Sequence, residues 1–306
     1  MEIRILRYFI TVARTGSVTG AAKLLHVTQP TLSRQLQSLE EELGQKLLLR
    51  KYHRIELTEN GMLLRDRAEE ILDLVGKTEK DLQKAGNAAA GEVFFGAGET
   101  GKMRTVARIM EHIREDHPGI RFRIHSGTAD DLMERLDRGT LDFGLLINPG
   151  RAALEKYEHL DLPDGESWGL LMRRDCPLAA RRGVTPGDLA GVPLLLPARH
   201  VVHGAGSLSG FPEWCGESFH ALSVAGHYNL VYNAALLVEE GVGCAVSIDL
   251  VTRRGLRFRP LKPVIRTKVC IAWKKGHLFS PAAALFLSHL QRKLSAGEEE
   301  GEKDLS

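Results

Sequence analysis

Residues 17–50 of the chain run SVTGAAKLLHVTQPTLSRQLQSLEEELGQKLLLR. The stretch holds two short amphipathic helical patterns that are separated by a tight turn at residues 26–27. Ser17 and Thr28 are residue types that commonly cap helix N-termini. Pro30 falls in the first turn of the second helix, where its missing N–H costs little. The pattern predicts a helix-turn-helix, a motif whose second helix can enter the major groove of DNA.

The predicted second helix has an apolar face and a polar face. Leu32, Leu36 and Leu39 recur every three to four residues and should face a core. The polar face offers amide, guanidinium and hydroxyl groups, which suit base edges and phosphates. The predicted DNA contacts are Thr28, Gln29, Pro30, Thr31, Ser33, Arg34 and Gln37, joined by Arg50, Lys51 and Arg54 from a basic segment that follows. An ordinary helical hairpin with a solvated polar face is the alternative, and periodicity alone does not decide between the two.

The first ninety residues resemble the LysR-type transcriptional regulators. The matching stretches are residues 5–9, 16–19, 21–22, 27–36, 39–44, 46–50 and 57–61. Leu48 departs from the family pattern, which usually has Phe at this core position. The resemblance implies a winged helix-turn-helix domain over residues 1–58, a dimer or tetramer, a small-molecule effector, RNA polymerase as a further partner, and no enzymatic activity.

Composition bounds the class of protein. The 306 residues carry a net charge of +2, with 43% hydrophobic and 26% charged residues, which is typical of a globular protein in water. No apolar run reaches membrane-spanning length and no signal peptide is recognisable, so we expect a cytoplasmic protein without a membrane partner. Residues 1–60 contain nine Lys or Arg against six Asp or Glu, a modest positive charge that is compatible with DNA.

Four cysteines are present, Cys176, Cys215, Cys244 and Cys270, and none forms a CxxC pair. We therefore expect reduced, buried thiols and no zinc ribbon. A redox role for Cys176 or Cys215 is a less favoured alternative.

A heptad of small and apolar residues begins at Leu57. Its members are Leu57, Gly61, Leu64, Ala68, Ile71, Val75, Thr78, Leu82, Ala85 and Ala89. The alternating steps of four and three predict a linker helix over residues 59–90 that self-associates through Leu64, Ile71, Val75 and Leu82. A single helix that covers its own domain's core is the alternative. A dimer would present two recognition helices, and its operator should contain an inverted repeat.

Strand and helix patterns alternate along the rest of the chain, which predicts an α/β fold with a parallel sheet and helices on both faces. The family resemblance implies an effector domain of two Rossmann-like subdomains, similar to periplasmic binding proteins. Subdomain I would comprise residues 91–162 and 266–294, and subdomain II residues 163–265. Residues 295–306 are rich in acids and are predicted to be a disordered tail.

A GxGxxG motif stands at Gly96, Gly98 and Gly101, which is the pattern of NAD-type dinucleotide binding. The alternative function is therefore an oxidoreductase. Dinucleotide sites place an acid at the end of the second strand, whereas this chain has His125-Ser126-Gly127 there. The missing acid favours a regulator without a cofactor.

Ligands of open α/β sheets bind beyond the carboxyl ends of the strands. The residues predicted to contact an effector there are Glu99, Thr100, Gly101, Thr128, Asn148, Arg199, His200 and Asn229. Thr100 and Thr128 are expected to begin helices, whose free N–H groups favour an anion. A small carboxylate is one expectation, and Glu99 instead favours an amine or amino acid. A metal site from His200, His203, Cys215 and His220 is a third option that has no standard spacing behind it.

Overall fold

The computed structural model describes residues 1–51, 54–83, 90–198, 210–250 and 254–303. The chain divides into two compact units, Met1–Gln83 and Lys84–Ser306. Among the helices of these described ranges, none is long and apolar enough to cross a membrane.

The first unit is a winged helix-turn-helix. Its elements are α1 (Ile3–Thr15), α2 (Val18–Leu24), α3 (Gln29–Leu43), β1 (Leu48–Lys51), β2 (Arg54–Leu57) and α4 (Glu59–Gln83). The predicted caps are confirmed, because the Ser17 side chain accepts from the Gly20 N–H and the Thr28 side chain from the Thr31 N–H. β1 and β2 pair antiparallel. The leucines of α3 are buried against α1 and α2, as the spacing predicts.

Helix α4 belongs to the core of this first unit. Ala68 is fully buried, and Leu64 and Ile71 pack against the same cluster as Phe9. A Cβ on Gly61 would lie 2.1 Å from the Leu47 carbonyl oxygen, so only glycine allows α4 this close to the wing.

The packing of α4 turns two of the predicted seam residues, Leu64 and Ile71, toward their own domain, where both are half-buried. Other apolar side chains of α4 are left exposed: Leu63 by 59%, Leu74 by 42% and Leu82 by 71%. Of the four predicted dimerisation residues, only Leu82 is largely exposed, while Val75 is half-buried. Leu63 and Leu74, which are not members of the predicted heptad, lie on the exposed face of the helix.

The second unit alternates strands and helices. In chain order its elements are β3 (Ala90–Ala97), α5 (Met103–Asp116), β4 (Gly119–Ser126), α6 (Ala129–Asp137), β5 (Phe143–Ile147), α7 (Arg151–Leu154), β6 (Tyr157–Asp161), β7 (Glu166–Arg173), β8 (Leu194–Pro197), α8 (Phe211–Cys215), β9 (Val224–Tyr228), α9 (Val231–Glu239), β10 (Cys244–Ile248), β11 (Leu256–Pro260), β12 (Arg266–Thr267), β13 (Val269–Lys274) and α10 (Pro281–Lys303).

These strands form two sheets. One sheet has the order β4-β3-β5-β13-β6, and the other has the order β11-β7-β10-β8-β9 with β12 paired to β7. Each has three parallel strands, β4, β3 and β5 in the first and β10, β8 and β9 in the second. The remaining pairings are antiparallel, so each sheet is mixed and the predicted parallel arrangement holds for three strands of each. In the first sheet, β13 is antiparallel to β5 and β6 is antiparallel to β13, so only β13 runs against the three parallel strands.

Aromatic side chains fill the core of the first sheet. Phe286 of α10 makes an edge contact with Phe95, with 5.7 Å between ring centroids, and a tilted contact with Phe143 at 5.1 Å. α10 continues to Lys303. Residues 295–303 are therefore helical, which corrects the predicted disordered tail over that range; apolar packing by the start of the helix anchors it. Residues 304–306 lie outside the described residues.

Candidate functional sites

The polar face of α3 is a continuous exposed surface. Thr28, Gln29, Pro30, Thr31, Arg34 and Gln37 are all exposed, and Ser33 is half-buried. The Gln29 amide donates to the Ser33 hydroxyl at 3.0 Å, and the Gln37 amide donates to Glu41 at 3.0 Å. These contacts hold two amides in place along the helix, while the buried leucines on the opposite side fix the direction of the face.

Glu40, a residue that the sequence analysis did not single out, joins α3 to the wing. Its Oε1 accepts from the backbone N–H groups of Leu47 at 2.8 Å and Leu48 at 3.1 Å, and its Oε2 accepts from Lys46 Nζ at 2.7 Å. Burial opposes the charge, but the hydrogen bonds from Lys46 and the two backbone groups outweigh it and lower the pKa of the Glu40 carboxyl. The network fixes where the wing starts relative to α3.

The structure describes only some of the basic side chains of the wing. Arg54 begins β2 and is exposed, and Arg50 and Lys51 belong to β1. The side chains of Arg50 and Lys51 lie outside the described part of the structure.

A cavity of about 100 Å³ opens between the two sheets of the second unit. It lies where strands of both sheets reach their carboxyl ends, which is the position that the strand-end argument predicts. The first sheet contributes the segments at 98–99, 127–129 and 147, and the second contributes those at 168, 197–198, 228–231 and 247–248. Most of the lining is apolar, including Ile147, Pro197 and Ile248.

The structure brings three of the predicted effector residues to this cavity: Glu99, Thr128 and Asn229. Thr128 caps α6 and accepts from the Asp131 N–H, as predicted. Asn229 Oδ1 accepts from the Leu230 N–H at 2.9 Å. Arg199 and His200, which were also predicted, lie outside the described residues.

Three other predicted residues, Thr100, Gly101 and Asn148, are not among the residues that line this cavity. Helix α5 begins at Met103 rather than at Thr100, and the buried Thr100 hydroxyl donates to Glu166 Oε1 at 2.5 Å. Gly101 lies in the turn before α5. Asn148 lines a different cavity of about 490 Å³ together with the segment at 149–161. Two residues of turn precede α5, and they carry Thr100 away from the helix start that the sequence suggested.

Glu99 connects the two sheets across the cavity. Its Oε2 accepts from the backbone N–H groups of Val231 and, at 3.4 Å, of Tyr232 at the start of α9. Leu230, the residue at the N-cap position of α9, makes no side-chain cap. A carboxylate 132 residues away in sequence therefore supplies the missing cap, and the positive end of the helix dipole favours its charge.

Two polar side chains of the cavity wall lack hydrogen-bond partners. Trp168 Nε1 and Ser247 Oγ are both buried and without a partner in the described structure. Tyr228, beside them, donates from its hydroxyl to the Val246 carbonyl at 2.7 Å. Burial, and to a lesser degree the charge of Glu99, raises the pKa of this phenol. Sequence reasoning missed Trp168 and Ser247, because a tryptophan and a serine in buried strands carry no pattern that marks a site.

The glycine motif has a packing role in this fold. Gly96 lies inside β3, and a Cβ there would come within 2.6 Å of Leu132 and Leu141. A Cβ on Gly98 would come within 3.2 Å of Ile147. Packing therefore accounts for Gly96 and Gly98 without a bound dinucleotide, and the oxidoreductase alternative is not supported.

The cysteines are free thiols, and three of them are buried. Burial raises the pKa of Cys215 to about 11, and that of Cys244 and Cys270 to about 12 each. These thiols are therefore poorly reactive at neutral pH. Across the described ranges, no three His, Cys, Asp or Glu side chains are grouped as a metal ion would require. Of the four residues considered for a metal, His200 and His203 lie outside those ranges.

Two family models match the chain. The model of the LysR substrate binding domain matches residues 86–295. The model of the bacterial regulatory helix-turn-helix protein, lysR family, matches residues 3–62. Together they span both units of the structure.

Individual relatives agree with these models. The uncharacterized HTH-type transcriptional regulator YnfL of Escherichia coli (strain K12) is 29% identical over 307 residues, covering 96% of this chain and 99% of the relative. The HTH-type transcriptional regulator TfdT of Cupriavidus pinatubonensis is 31% identical over 204 residues, covering 64% of this chain and 85% of the relative. The crystal structure of full-length CbnR complexed with the target DNA is similar with a TM-score of 0.71 and 25% identity, covering 95% of this chain and 99% of that one.

Proposed function

Because the chain belongs to the LysR family of DNA-binding transcriptional regulators, we propose that it binds an inverted-repeat operator through α3 and the wing, under control of a small molecule in the cleft of the second unit. The observation that carries the DNA part of the proposal is the exposed polar face of α3, which is set by the buried leucines behind it. The similarity to CbnR, which was crystallised with DNA, supports it.

The side chains of this surface have separate roles in the proposal. Gln29 and Arg34 read bases, because an amide matches adenine and a guanidinium matches guanine. The hydroxyls of Thr28, Thr31 and Ser33 and the basic groups of the wing bind phosphates and set the register, with Pro30 shaping the start of the helix and Gln37 at the far end of the face. Gln29 must then exchange its bond to Ser33 for a base edge.

Self-association is part of the proposal, because an inverted repeat needs two copies of α3. The outer face of α4, with Leu63, Leu74 and Leu82 exposed, is the surface that we assign to the dimer. The same proposal includes tetramer formation, contact with RNA polymerase and a cytoplasmic location. A bacterial transcriptional regulator would need the last two to act on a promoter.

We propose a small carboxylate or amino acid as the effector, bound among Glu99, Thr128 and Asn229. The cleft is formed by two sheets, whose relative arrangement can differ. A ligand shifts the population of these arrangements only if it binds one of them more tightly than the other. In this proposal, effector binding changes the affinity for DNA through the coupling free energy between the effector site and the DNA-binding surface.

Selection of duplexes from a random DNA library by the purified full-length chain tests the DNA proposal. We expect enrichment of one inverted repeat, followed in fluorescence anisotropy by a loss of about 1–3 kcal/mol for Arg34→Ala at one base position. Arg67→Ala removes the same charge from the exposed surface of α4 and serves as the matched control. A library that yields no preferred sequence, or equal affinity of Arg34→Ala and the parent for the enriched site, would refute the proposal.

A further inference from the structure

The charge of the cleft lining restricts its ligand. Among the described residues that line the cavity, Glu99 carries the only formal charge at neutral pH. The remaining lining is apolar or neutral, and the Tyr228 phenol stays protonated because burial raises its pKa. An anion that entered this part of the cleft would therefore meet a carboxylate and no described cation.

The helix end that would otherwise receive an anion is already occupied. The start of α9 directs its N–H groups at Val231 and Tyr232 toward Glu99 Oε2. A ligand carboxylate could use these donors only by displacing Glu99, which would remain tethered close by with the same sign of charge. Glu99 Oε1, in contrast, receives no hydrogen bond from any described residue, and it is available to a donor on a ligand.

On the opposite wall of the cavity, two buried polar side chains lack hydrogen-bond partners among the described residues. Trp168 Nε1 can only donate a hydrogen bond, and it has no partner. Ser247 Oγ is equally without a partner, and both residues are at least nine-tenths buried. They lie on adjacent strands, with Trp168 of β7 opposite Ile248 of β10. Solvent does not reach the two atoms, so a ligand acceptor would reach them only if the two walls of the cavity moved apart.

We infer that the cleft takes a small ligand with a protonated amine, which pairs with Glu99 Oε1, and a separate hydrogen-bond acceptor for Trp168 Nε1. A small α-amino acid or its amide has both groups on one compact body, whereas a simple carboxylate lacks the first. This inference rests on the proposed function, which places the effector in this cleft, and it assigns Glu99 and Trp168 as the residues that determine specificity.

Thermal shift and calorimetry on the full-length chain test the inference with a defined panel. The panel contains the twenty common L-amino acids, their amides, the matching 2-hydroxy acids, and formate, acetate and benzoate. We expect at least one amino acid or amide to bind, and its 2-hydroxy analogue, which carries a neutral hydroxyl in place of the ammonium, to bind at least tenfold more weakly.

Two variants separate the roles of the two walls. Glu99→Gln keeps an acceptor for the start of α9 but removes the charge, and it should weaken the amine ligand at least tenfold while reducing its advantage over the 2-hydroxy acid. Trp168→Phe keeps the ring and removes the donor, and it should weaken every ligand that carries the acceptor. Glu111→Gln, a carboxylate on the exposed side of α5 outside the cavity, is the matched control and should bind as the parent does.

Three outcomes would overturn the inference: no compound with an ammonium group binds, the carboxylates bind as tightly as the amino acids, or Glu99→Gln binds like the parent. The proposed function fails by a different result. Carboxylates that bind the cleft and change operator affinity would leave the regulator proposal intact and refute only the ligand class. An absence of sequence-selective DNA binding would refute the regulator, while Glu99-dependent binding of an amine can still be measured.

Discussion

Glu40→Ala tests how the wing is held against α3. The substitution removes the carboxylate that accepts from the Leu47 and Leu48 N–H groups and from Lys46 Nζ. The two backbone donors are partly buried in the turn that leads into β1, so water replaces their partner only in part. The wing should therefore lose its fixed starting point while α3 keeps its own buried face.

The expected loss of stability follows from these contacts. Each backbone bond to a carboxylate contributes about 1.5 kcal/mol. The ion pair adds little, about 0.5 kcal/mol, because the Lys46 side chain is 75% exposed. Glu40→Ala should lower the free energy of unfolding of the first unit by about 3.5 kcal/mol. Lys46→Ala, the matched control, removes only the ion pair and should cost about 0.5 kcal/mol.

The two units can be followed separately in urea. All three tryptophans, Trp168, Trp214 and Trp273, belong to the second unit, so their fluorescence reports that unit alone. Far-ultraviolet circular dichroism reports helices of both. Glu40→Ala should shift the circular dichroism transition to lower urea and leave the tryptophan transition unchanged. Unchanged curves in both measurements would refute the reasoning, and a shifted tryptophan transition would show that the effect is not confined to the first unit.

The same contacts predict a pH dependence. The folded-state pKa of Glu40 lies below its ordinary value of 4.5, so the folded protein holds the charged form more strongly than the unfolded chain does. The stabilisation is complete above pH 4.5 and disappears as the pH falls through the folded-state pKa. The difference in stability between the parent and Glu40→Gln should therefore shrink as the pH is lowered below 4.5.

Three further predictions concern α4, the glycine motif and the thiols. Leu64→Asp should destabilise the first unit in urea because it buries a charge in the core, whereas Leu82→Asp should leave stability unchanged and weaken self-association in sedimentation; equal stability of the two variants would contradict this packing. Gly96→Ala should destabilise the second unit by about 1–3 kcal/mol in the tryptophan transition, since the added Cβ meets two leucines at 2.6 Å; an unchanged midpoint would count against the close packing. Thiol titration of the native chain at pH 8 should modify the half-buried Cys176 first, and rapid modification of the buried Cys215 would show that its pKa is not raised.

The helix-turn-helix was predictable because its rules are local. A cap, a proline in the first turn and a leucine spacing decide α3 within fifteen residues, and Thr28 caps the helix as expected. The heptad predicted that α4 is a helix, but it did not predict which of its side chains are buried within the first unit. An apolar stripe does not indicate which partner covers it. Ala68 and Ile71 fit a coiled-coil seam and an intramolecular core equally well, and the structure shows both packed within the first unit.

The cleft was predictable in position but not in its contacts. Strand ends converge on it, and this geometry brought Glu99, Thr128 and Asn229 together. The prediction that Thr100 begins a helix is wrong because two residues of turn separate it from α5, and helix boundaries depend on hydrogen bonds that the sequence does not reveal. Trp168 and Ser247 were missed because their lack of partners is a property of the assembled walls.

Glu99 shows why the sequence left the ligand open between a carboxylate and an amine. In sequence it is an acid beside a glycine turn, and a carboxylate at that point repels anions and attracts amines to an extent that depends on its own partners. The structure supplies those partners: one oxygen caps α9 from across the cleft, and the other has no donor among the described residues. A carboxylate that is held in place by a helix end has a fixed direction, so it acts as a fixed acceptor. The chemistry of the cleft thus depends on a contact between residues far apart in the chain. A ligand with a donor for Glu99 can bind without displacing this carboxylate from the start of α9, whereas a ligand carboxylate would have to displace it.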